Sequence, residues 1–271
     1  MQAVAKVQGG TWERSYRLDR QSLEKPEQTD RVDLTRQTET AHYRFKGRLP
    51  LGDRVHGAQN DAGQLIAPIK VEIPGGKFVN QYAPTVVGTR NVYDPARDCD
   101  GSFMSSKFQV NNNCYNYACD VATNSFAQPG RKHGLLLDSD FTPERVTQGA
   151  EQDGLLEIAK HGMSDEELAE KSKELPPGHF VALLFSKPDD SVRWPGDYHW
   201  VRRDENGTWS QKDGTDQVTN FDYAGHPILD PAAANWTVNE GPMSSSNPAD
   251  VVIKYKFYSI MFVPDGKIDI I

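Results

Sequence analysis

The sequence predicts an α+β fold in which helices pack against a mostly antiparallel sheet. Helix signals cluster between about residues 113 and 175, and strand signals dominate from residue 179 onward. An Asn-Gly pair at 206–207 separates two of these strands, which is typical of a hairpin. Helices followed by hairpin-connected strands indicate helices on one antiparallel sheet.

Composition limits the class of protein and its partners. The chain has 271 residues, of which 25% are charged and 10% aromatic, and such a composition is globular rather than disordered. The net charge of -8 argues against nucleic acid as a partner, because that normally requires a basic surface. No apolar run approaches the length of a membrane span. We expect a polar N-terminal leader or accessory region over residues 1–95 and a folded domain over 96–271.

The first predicted elements lie in the leader and in the helical part. Thr40–Arg48 and Val71–Ile73 are predicted strands, the second ending at Pro74-Gly75-Gly76. A helix is predicted to begin at Asn113 or Cys114, with Asn as its N-cap, and to run to about Thr123. Thr142-Pro143 predicts another helix, ending near His161.

The later elements are a short helix and a set of strands. Ser164 to Glu167 is a capping-box pattern, and Pro176-Pro177-Gly178 ends the helix that it begins. His179–Ser186 is a continuous apolar run, as expected of a central strand. The remaining predicted strands are Tyr198–Arg203, Thr208–Lys212 and Val251–Val263.

Cys114 is the candidate nucleophile. A cysteine at a helix N-terminus gains thiolate character, because unpaired backbone N–H groups and the positive end of the helix dipole favour an anion. Cys119, five residues later and inside the predicted helix, lacks that environment. The alternative is that Cys114 is a buried, inert thiol. The third cysteine is Cys99, and an odd count excludes a fully paired set of disulfides.

His199 is the candidate base. It follows a polar loop at the start of a predicted strand, and a strand end beside a helix N-terminus can bring an imidazole to the thiol. His179, also at a strand start, is the second choice. The alternative is that His199 has a purely structural role.

Gln211 and Asp213 are candidates for a third residue that orients the imidazole. A three-residue hairpin loop with a bulge places position 201 opposite 211, so that 209, 211 and 213 share the His199 face. A two- or four-residue loop would instead place Ser210 and Lys212 on that face. Asn112 and Gln109 are candidate side-chain donors to an oxyanion, beside the backbone N–H of Cys114.

Neither a metal nor a cofactor is expected. The spacing of the three cysteines matches no standard zinc site, and the chain has no Cys-x-x-Cys pair. The triplets Asn206-Gly207-Thr208 and Asn235-Trp236-Thr237 match the N-glycosylation acceptor pattern. The first ten residues lack the features of a secretion signal, so we expect synthesis in the cytoplasm and export, if any, by a non-classical or type VI route.

Two blocks of sequence resemble a family of papain-like and NlpC-like cysteine hydrolases from bacteria and large DNA viruses. One block is Asn113 to Ala118, and the other runs from Asp197 through the hairpin to Pro231. The resemblance covers roughly residues 105–235 and implies a papain-like core with Cys114 as nucleophile and His199 as base. In the relatives, the position of Gln211 is often His and that of Asp213 often Pro, which favours Gln211 as the third residue.

The expected function is therefore cysteine-dependent hydrolysis of an amide bond. The substrate would be a protein or a peptidoglycan stem peptide, and a secreted effector of this kind would have a cognate inhibitor or immunity protein. One alternative is a protein deamidase toxin on the same fold. Another is a binding or structural module without turnover.

Overall fold

The computed structural model describes residues 68–87, 103, 109–137, 142–192, 194–244 and 247–271. The helices of this part are α1 (Cys114–Ala118), α2 (Pro143–Gln152) and α3 (Asp165–Ser172). None of them is long and apolar enough to cross a membrane. The first strands are β1 (Ile69–Ile73), β2 (Lys77–Gln81), β3 (Val86–Val87), β4 (Val121–Ala122), β5 (Leu156–Ala159) and β6 (Gly178–Ser186). They are followed by β7 (Asp197–Arg203), β8 (Trp209–Lys212), β9 (Val218–Thr219), β10 (Thr237–Ser244), β11 (Asn247–Lys254) and β12 (Lys256–Pro264).

A six-stranded sheet forms the centre, in the order β5–β12–β6–β7–β8–β9. Every neighbouring pair in it is antiparallel, so the predicted α+β class with a mostly antiparallel sheet is confirmed. The central strand β6 is buried from Phe180 to Ser186, as its continuous apolar run predicts for a strand covered on both faces. The predicted hairpin is confirmed as well, because Val201 lies opposite Gln211.

The two faces of the sheet belong to different hydrophobic clusters. We call the face that packs against α1 the helix face; its cluster includes Cys114, Tyr115, Val181, Leu183, Tyr198 and Trp200. We call the other the opposite face; its cluster includes Ala182, Leu184, Val201, Trp209, Trp236 and Tyr255. The division follows from strand geometry, because successive side chains point to alternate sides of a sheet.

Two of the predicted helices end earlier than expected. α1 stops at Ala118 rather than near Thr123, because Asp120 adopts a positive φ of 53° and Val121–Ala122 pairs with β3. α2 stops at Gln152 rather than near His161, because Gly154 has a φ of 106° and Leu156–Ala159 joins the edge of the central sheet beside β12. In both places, strand pairing overrides the local helical pattern. α3, in contrast, has the predicted capping box.

The predicted final strand Val251–Val263 is two strands in different sheets. β11 pairs with β10, whereas β12 pairs with β6 and β5 in the central sheet. The break lies at Tyr255, whose backbone N–H donates to the Trp236 carbonyl at 3.0 Å instead of to a sheet neighbour.

Part of the predicted leader packs on the folded domain. β1 and β2 form a hairpin, and Ile73 and Val79 pack with Ile271. Further along, the backbone N–H of Tyr82 donates to the Asn124 carbonyl at 2.9 Å. The boundary predicted at residue 95 and the predicted strand Thr40–Arg48 lie outside the described residues.

Candidate functional site

Cys114 is the first residue of α1, and Asn113 caps the helix. The Asn113 Oδ1 accepts from the backbone N–H groups of Tyr115 at 3.1 Å and Asn116 at 3.0 Å. In return, the Asn116 Oδ1 accepts from the Asn113 N–H at 3.2 Å, which completes a capping box. The predicted N-cap is therefore confirmed. The Cys114 side chain is buried, with 7% of its surface exposed.

The amide side chains proposed as oxyanion donors hold neighbouring loops instead. Asn112 Nδ2 donates to Asn124 Oδ1 at 3.0 Å, and Asn112 Oδ1 accepts from the Asn124 N–H at 2.9 Å. This pair fixes Asn124 in its left-handed backbone conformation, with a φ of 57°. Gln109 Nε2 donates to the Thr215 carbonyl at 3.2 Å, and its Oε1 accepts from Gln217. Both amides thus hold neighbouring loops, and their role as oxyanion donors stays a prediction.

Lys212 is fully buried, and its side chain lies against the loop that leads into α1. Its Nζ donates to three carbonyls, those of Asn112 at 2.5 Å, Gln109 at 2.7 Å and Gly214 at 2.9 Å. Burial lowers the pKa of Lys212 to about 7, whereas three acceptors for its three hydrogens favour the ammonium. Sequence reasoning assigned Lys212 no role. The feature that could have indicated a role for Lys212 is a lysine in a strand whose residues Trp209 and Ser210 are buried.

His199 and Gln211 are in contact, as the predicted register requires. The distance between His199 Nε2 and Gln211 Oε1 is 2.6 Å. Because Gln211 Nε2 donates to the Phe221 carbonyl at 2.6 Å, its Oε1 must accept, and His199 therefore carries its proton on Nε2. The imidazole is fully buried on the opposite face, with ring centroids 6.0 to 6.1 Å from those of Tyr223, Trp236 and Tyr255. Asp213, the alternative third residue, lies in the turn beyond β8, where its carbonyl accepts from the Asp216 N–H at 2.8 Å.

Cys114 and His199 pack into clusters on different faces of the central sheet. Tyr198 and Trp200 occupy the positions of β7 that face α1, and the Trp200 ring lies 5.3 Å from that of Tyr115. His199, between them, points through to the opposite face. The alternation of β7 thus points this imidazole away from the Cys114 cluster, and the role of His199 as base stays a prediction. Ser210 and Lys212 also lie on the helix face; the Ser210 hydroxyl is 2.6 Å from that of Tyr117 in α1.

His179, the second choice for the base, does not lie beside Cys114 either. Its Nε2 is 2.7 Å from the Ala118 carbonyl, at the other end of α1. At about 1.5 Å of rise per residue, the two ends of this helix are roughly 6 Å apart along its axis. His179 therefore stabilises the C-terminal end of the helix.

Cys119 belongs to a buried polar cluster behind α1. Burial, reinforced by the nearby Asp153 charge, raises the pKa of the Cys119 thiol well above its usual value. Asp153 accepts from the Tyr115 hydroxyl at 2.7 Å and from the Gly130 N–H at 2.8 Å, and its other oxygen lies 3.4 Å from His133 Nε2. Burial raises the pKa of Asp153 to about 7. A thiol in this environment is a poor nucleophile, as expected for Cys119.

A cleft of about 500 Å³ lies between the end of α3, β6 and the β7–β8 hairpin. Arg202 lies on its wall, 3.5 Å from carboxylate oxygens of both Asp120 and Asp204. The guanidinium also stacks on the Tyr117 ring, 3.9 Å from its centroid. These contacts explain the burial of Arg202, because a buried charge needs paired partners. Among the described residues, no group of three or more His, Cys, Asp or Glu side chains is arranged to hold a metal ion.

Comparison with known proteins gives one informative similarity. No protein-family model matches the chain, and no solved structure matches it. The chain is 36% identical over 155 residues to insoluble matrix shell protein 1 of Ruditapes philippinarum. The alignment covers 55% of this chain and 88% of that relative. The identity and the coverage of the relative show that the chain belongs to the family of insoluble matrix shell protein 1.

Proposed function

We propose that this protein is a non-catalytic structural component of an insoluble extracellular matrix. The observation that carries the proposal is the family relationship, because the chain is 36% identical to an insoluble matrix protein of shell over 88% of that relative. The packing of Cys114 and His199 on opposite faces of the central sheet supports it. A thiol and an imidazole so placed cannot exchange a proton directly, which cysteine hydrolysis requires.

The hydrogen bonds of the buried polar side chains also support a structural role. Asn112, Asn113 and Asn116 donate to or accept from loop backbone and from one another. Arg131 donates to the carbonyls of Ser125, Phe126 and Ile271. Such a network rigidifies a fold when its donors and acceptors are matched. A rigid domain suits a protein that must persist in an assembly.

Sequential extraction of the source material tests this proposal. The material is extracted with salt, then with detergent, then with denaturant, and peptides from residues 109–271 are quantified in every extract and in the residue. We expect most of the chain in the final insoluble residue, whereas a soluble enzyme from the same material should leave in the salt extract. Recovery of the chain with the salt-soluble proteins would overturn the proposal.

A second candidate function is cysteine-dependent hydrolysis of an amide bond on a papain-like core. The specific observation in its favour is the environment of Cys114, which begins a capped helix and lies on the same face as the Lys212 ammonium. Both features favour a thiolate. The substrate would be a protein amide or a peptidoglycan stem peptide, and deamidation would use the same nucleophile. This function requires a base within reach of the thiol, and His199 packs on the other face in this structure.

Alkylation of the native chain distinguishes the two candidates. The rate at which iodoacetamide modifies each cysteine is measured against pH, with site mapping, in the wild type and in His199→Ala. The structural proposal expects slow modification of Cys114 below pH 8 and no effect of the substitution. Fast modification of Cys114 near pH 6 supports the hydrolase and argues against a non-catalytic domain; loss of that reactivity in His199→Ala would also refute the separation of the two residues.

A further inference from the structure

Two exposed turns carry the triplets that accept N-linked glycans in secreted proteins. Of the 13 asparagines in the chain, only Asn206 and Asn235 are followed by any residue except proline and then by Ser or Thr. Asn206 lies in the loop between β7 and β8, and Asn235 lies two residues before the start of β10. Both side chains are exposed, in contrast to the buried Asn111, Asn112, Asn113 and Asn116.

The two acceptor asparagines have the same local geometry. The Asn206 Oδ1 accepts from the Thr208 N–H at 3.0 Å and from the Thr208 hydroxyl at 2.7 Å. The Asn235 Oδ1 accepts from the Thr237 N–H at 3.0 Å. In each turn the amide oxygen therefore faces back toward the threonine. The amide nitrogen, the atom to which a glycan is attached, lies on the other side of the amide group.

We propose that Asn206 and Asn235 are N-glycosylation sites. The inference rests on the proposed function, because this modification requires passage through a secretory compartment, in place of the non-classical or type VI export expected from the first ten residues. The donor is an oligosaccharide linked to a lipid diphosphate. The side-chain nitrogen forms a bond to C1 of the first sugar, the bond between C1 and the diphosphate oxygen breaks, the lipid diphosphate leaves, and the nitrogen loses one proton.

Both acceptor asparagines are exposed, and the fold holds the backbone around each of them. At residue 207, beside Asn206, an added side chain would meet only the end of the flexible Arg203 side chain, at 3.5 Å. At the second turn, the Asn235 backbone N–H donates to Asp222 Oδ2 at 2.9 Å, and its carbonyl accepts from the Tyr223 N–H at 3.0 Å. The buried Trp236 anchors the same turn through its bond to the Pro231 carbonyl at 2.8 Å. A glycan at either position would therefore project from an exposed side chain on a backbone held by the fold.

Glycopeptide mapping of the full chain recovered from the source material tests the inference. Intact glycopeptides must be identified, because the Asn206 side chain, which is followed by Gly207, also deamidates spontaneously. The aspartate that forms is the same as the product of enzymatic glycan removal. Removal by peptide N-glycanase in heavy-oxygen water provides the second readout. We expect a hexosamine-containing oligosaccharide at both asparagines. An unmodified asparagine at either position, in chain recovered from the insoluble residue, overturns the assignment of that position and leaves the matrix proposal intact.

Expression of the full chain in a secretory eukaryotic cell, behind a cleavable secretion signal, supplies matched variants. Thr208→Val and Thr237→Val should each remove one glycan, and the double variant should migrate as the unmodified chain. Thr208→Ser and Thr237→Ser keep the hydroxyl and should keep both glycans. Equal mass of the wild type and the double variant would refute the proposal, whatever extraction of the source material shows.

Discussion

The substitution Asp153→Asn tests whether a buried carboxyl makes the stability of this domain depend on pH. In the folded chain, burial raises the pKa of Asp153 to about 7, against about 3.9 for an exposed aspartate. Between these two values the folded state holds a proton that the unfolded state has lost. The free energy of unfolding therefore falls as pH rises through this window. About three pH units at about 1.4 kcal/mol each correspond to a loss of about 4 kcal/mol, nearly complete above pH 7.

Asparagine keeps the shape of the protonated acid and cannot ionise. Its Oδ1 can accept from the Tyr115 hydroxyl and the Gly130 N–H, as the Asp153 oxygen does now. We therefore expect Asp153→Asn to match the wild type near pH 4 and to be more stable above pH 7, by up to about 4 kcal/mol. Other groups titrate in both proteins, so the difference between the two proteins reports Asp153 together with its ion pair to His133.

Urea unfolding, followed by tryptophan fluorescence at half-unit steps from pH 4 to pH 8.5, measures this difference. Asp165→Asn is the matched control, because that carboxylate is exposed and pairs with Arg203 at the surface; its curve should stay parallel to that of the wild type. Parallel curves for Asp153→Asn and the wild type over the whole range would refute the reasoning. A variant that is less stable at high pH would show that the ionised carboxylate is the favoured form.

Three further substitutions test the contacts around the candidate site. Lys212→Met leaves the carbonyls that its ammonium binds without that donor. We therefore expect the free energy of unfolding, measured with urea at pH 6, to fall by about 2 kcal/mol. The exposed Lys254→Met should cause no change. Asn113→Ala removes the N-cap of α1 and should lower the free energy of unfolding by about 1 kcal/mol, whereas Asn113→Asp should retain most of it; equal losses would contradict the capping role. Gln211→Ala removes the acceptor that holds the proton of His199 on Nε2. The NMR shifts of the His199 ring nitrogens should then move toward those of a mixture of tautomers. Unchanged shifts would mean that another group sets the tautomer.

Local signals in the sequence predict the elements that depend on near neighbours. The Asn113 cap, the capping box of α3 and the register of the β7–β8 hairpin all follow from residues within about a dozen positions of one another. Gln211 was found as the partner of His199 for this reason. The ends of α1 and α2 were not predicted, because β4 and β5 form only by pairing with strands far away in sequence.

The relation between Cys114 and His199 depends on information that the pattern of β7 does not contain. Alternation fixes which residues share a face, but it does not say which face meets the helix. In a strand exposed on one side, the polar positions would answer that question. β7 is buried from Tyr198 to Arg202 on both faces, so its sequence pattern is compatible with either face meeting α1. Large aromatic side chains at 198 and 200 fill the space beneath α1, so that His199 packs in the other cluster.

Slipping the pairing of β7 by one residue would exchange the two faces. It would also bury Arg202 among the aromatic residues of the opposite face and remove it from the carboxylate of Asp120, whereas Asp204, two residues further along the chain, would move with it. The ion pair between Arg202 and Asp120 thus favours the register that places Cys114 and His199 in different clusters.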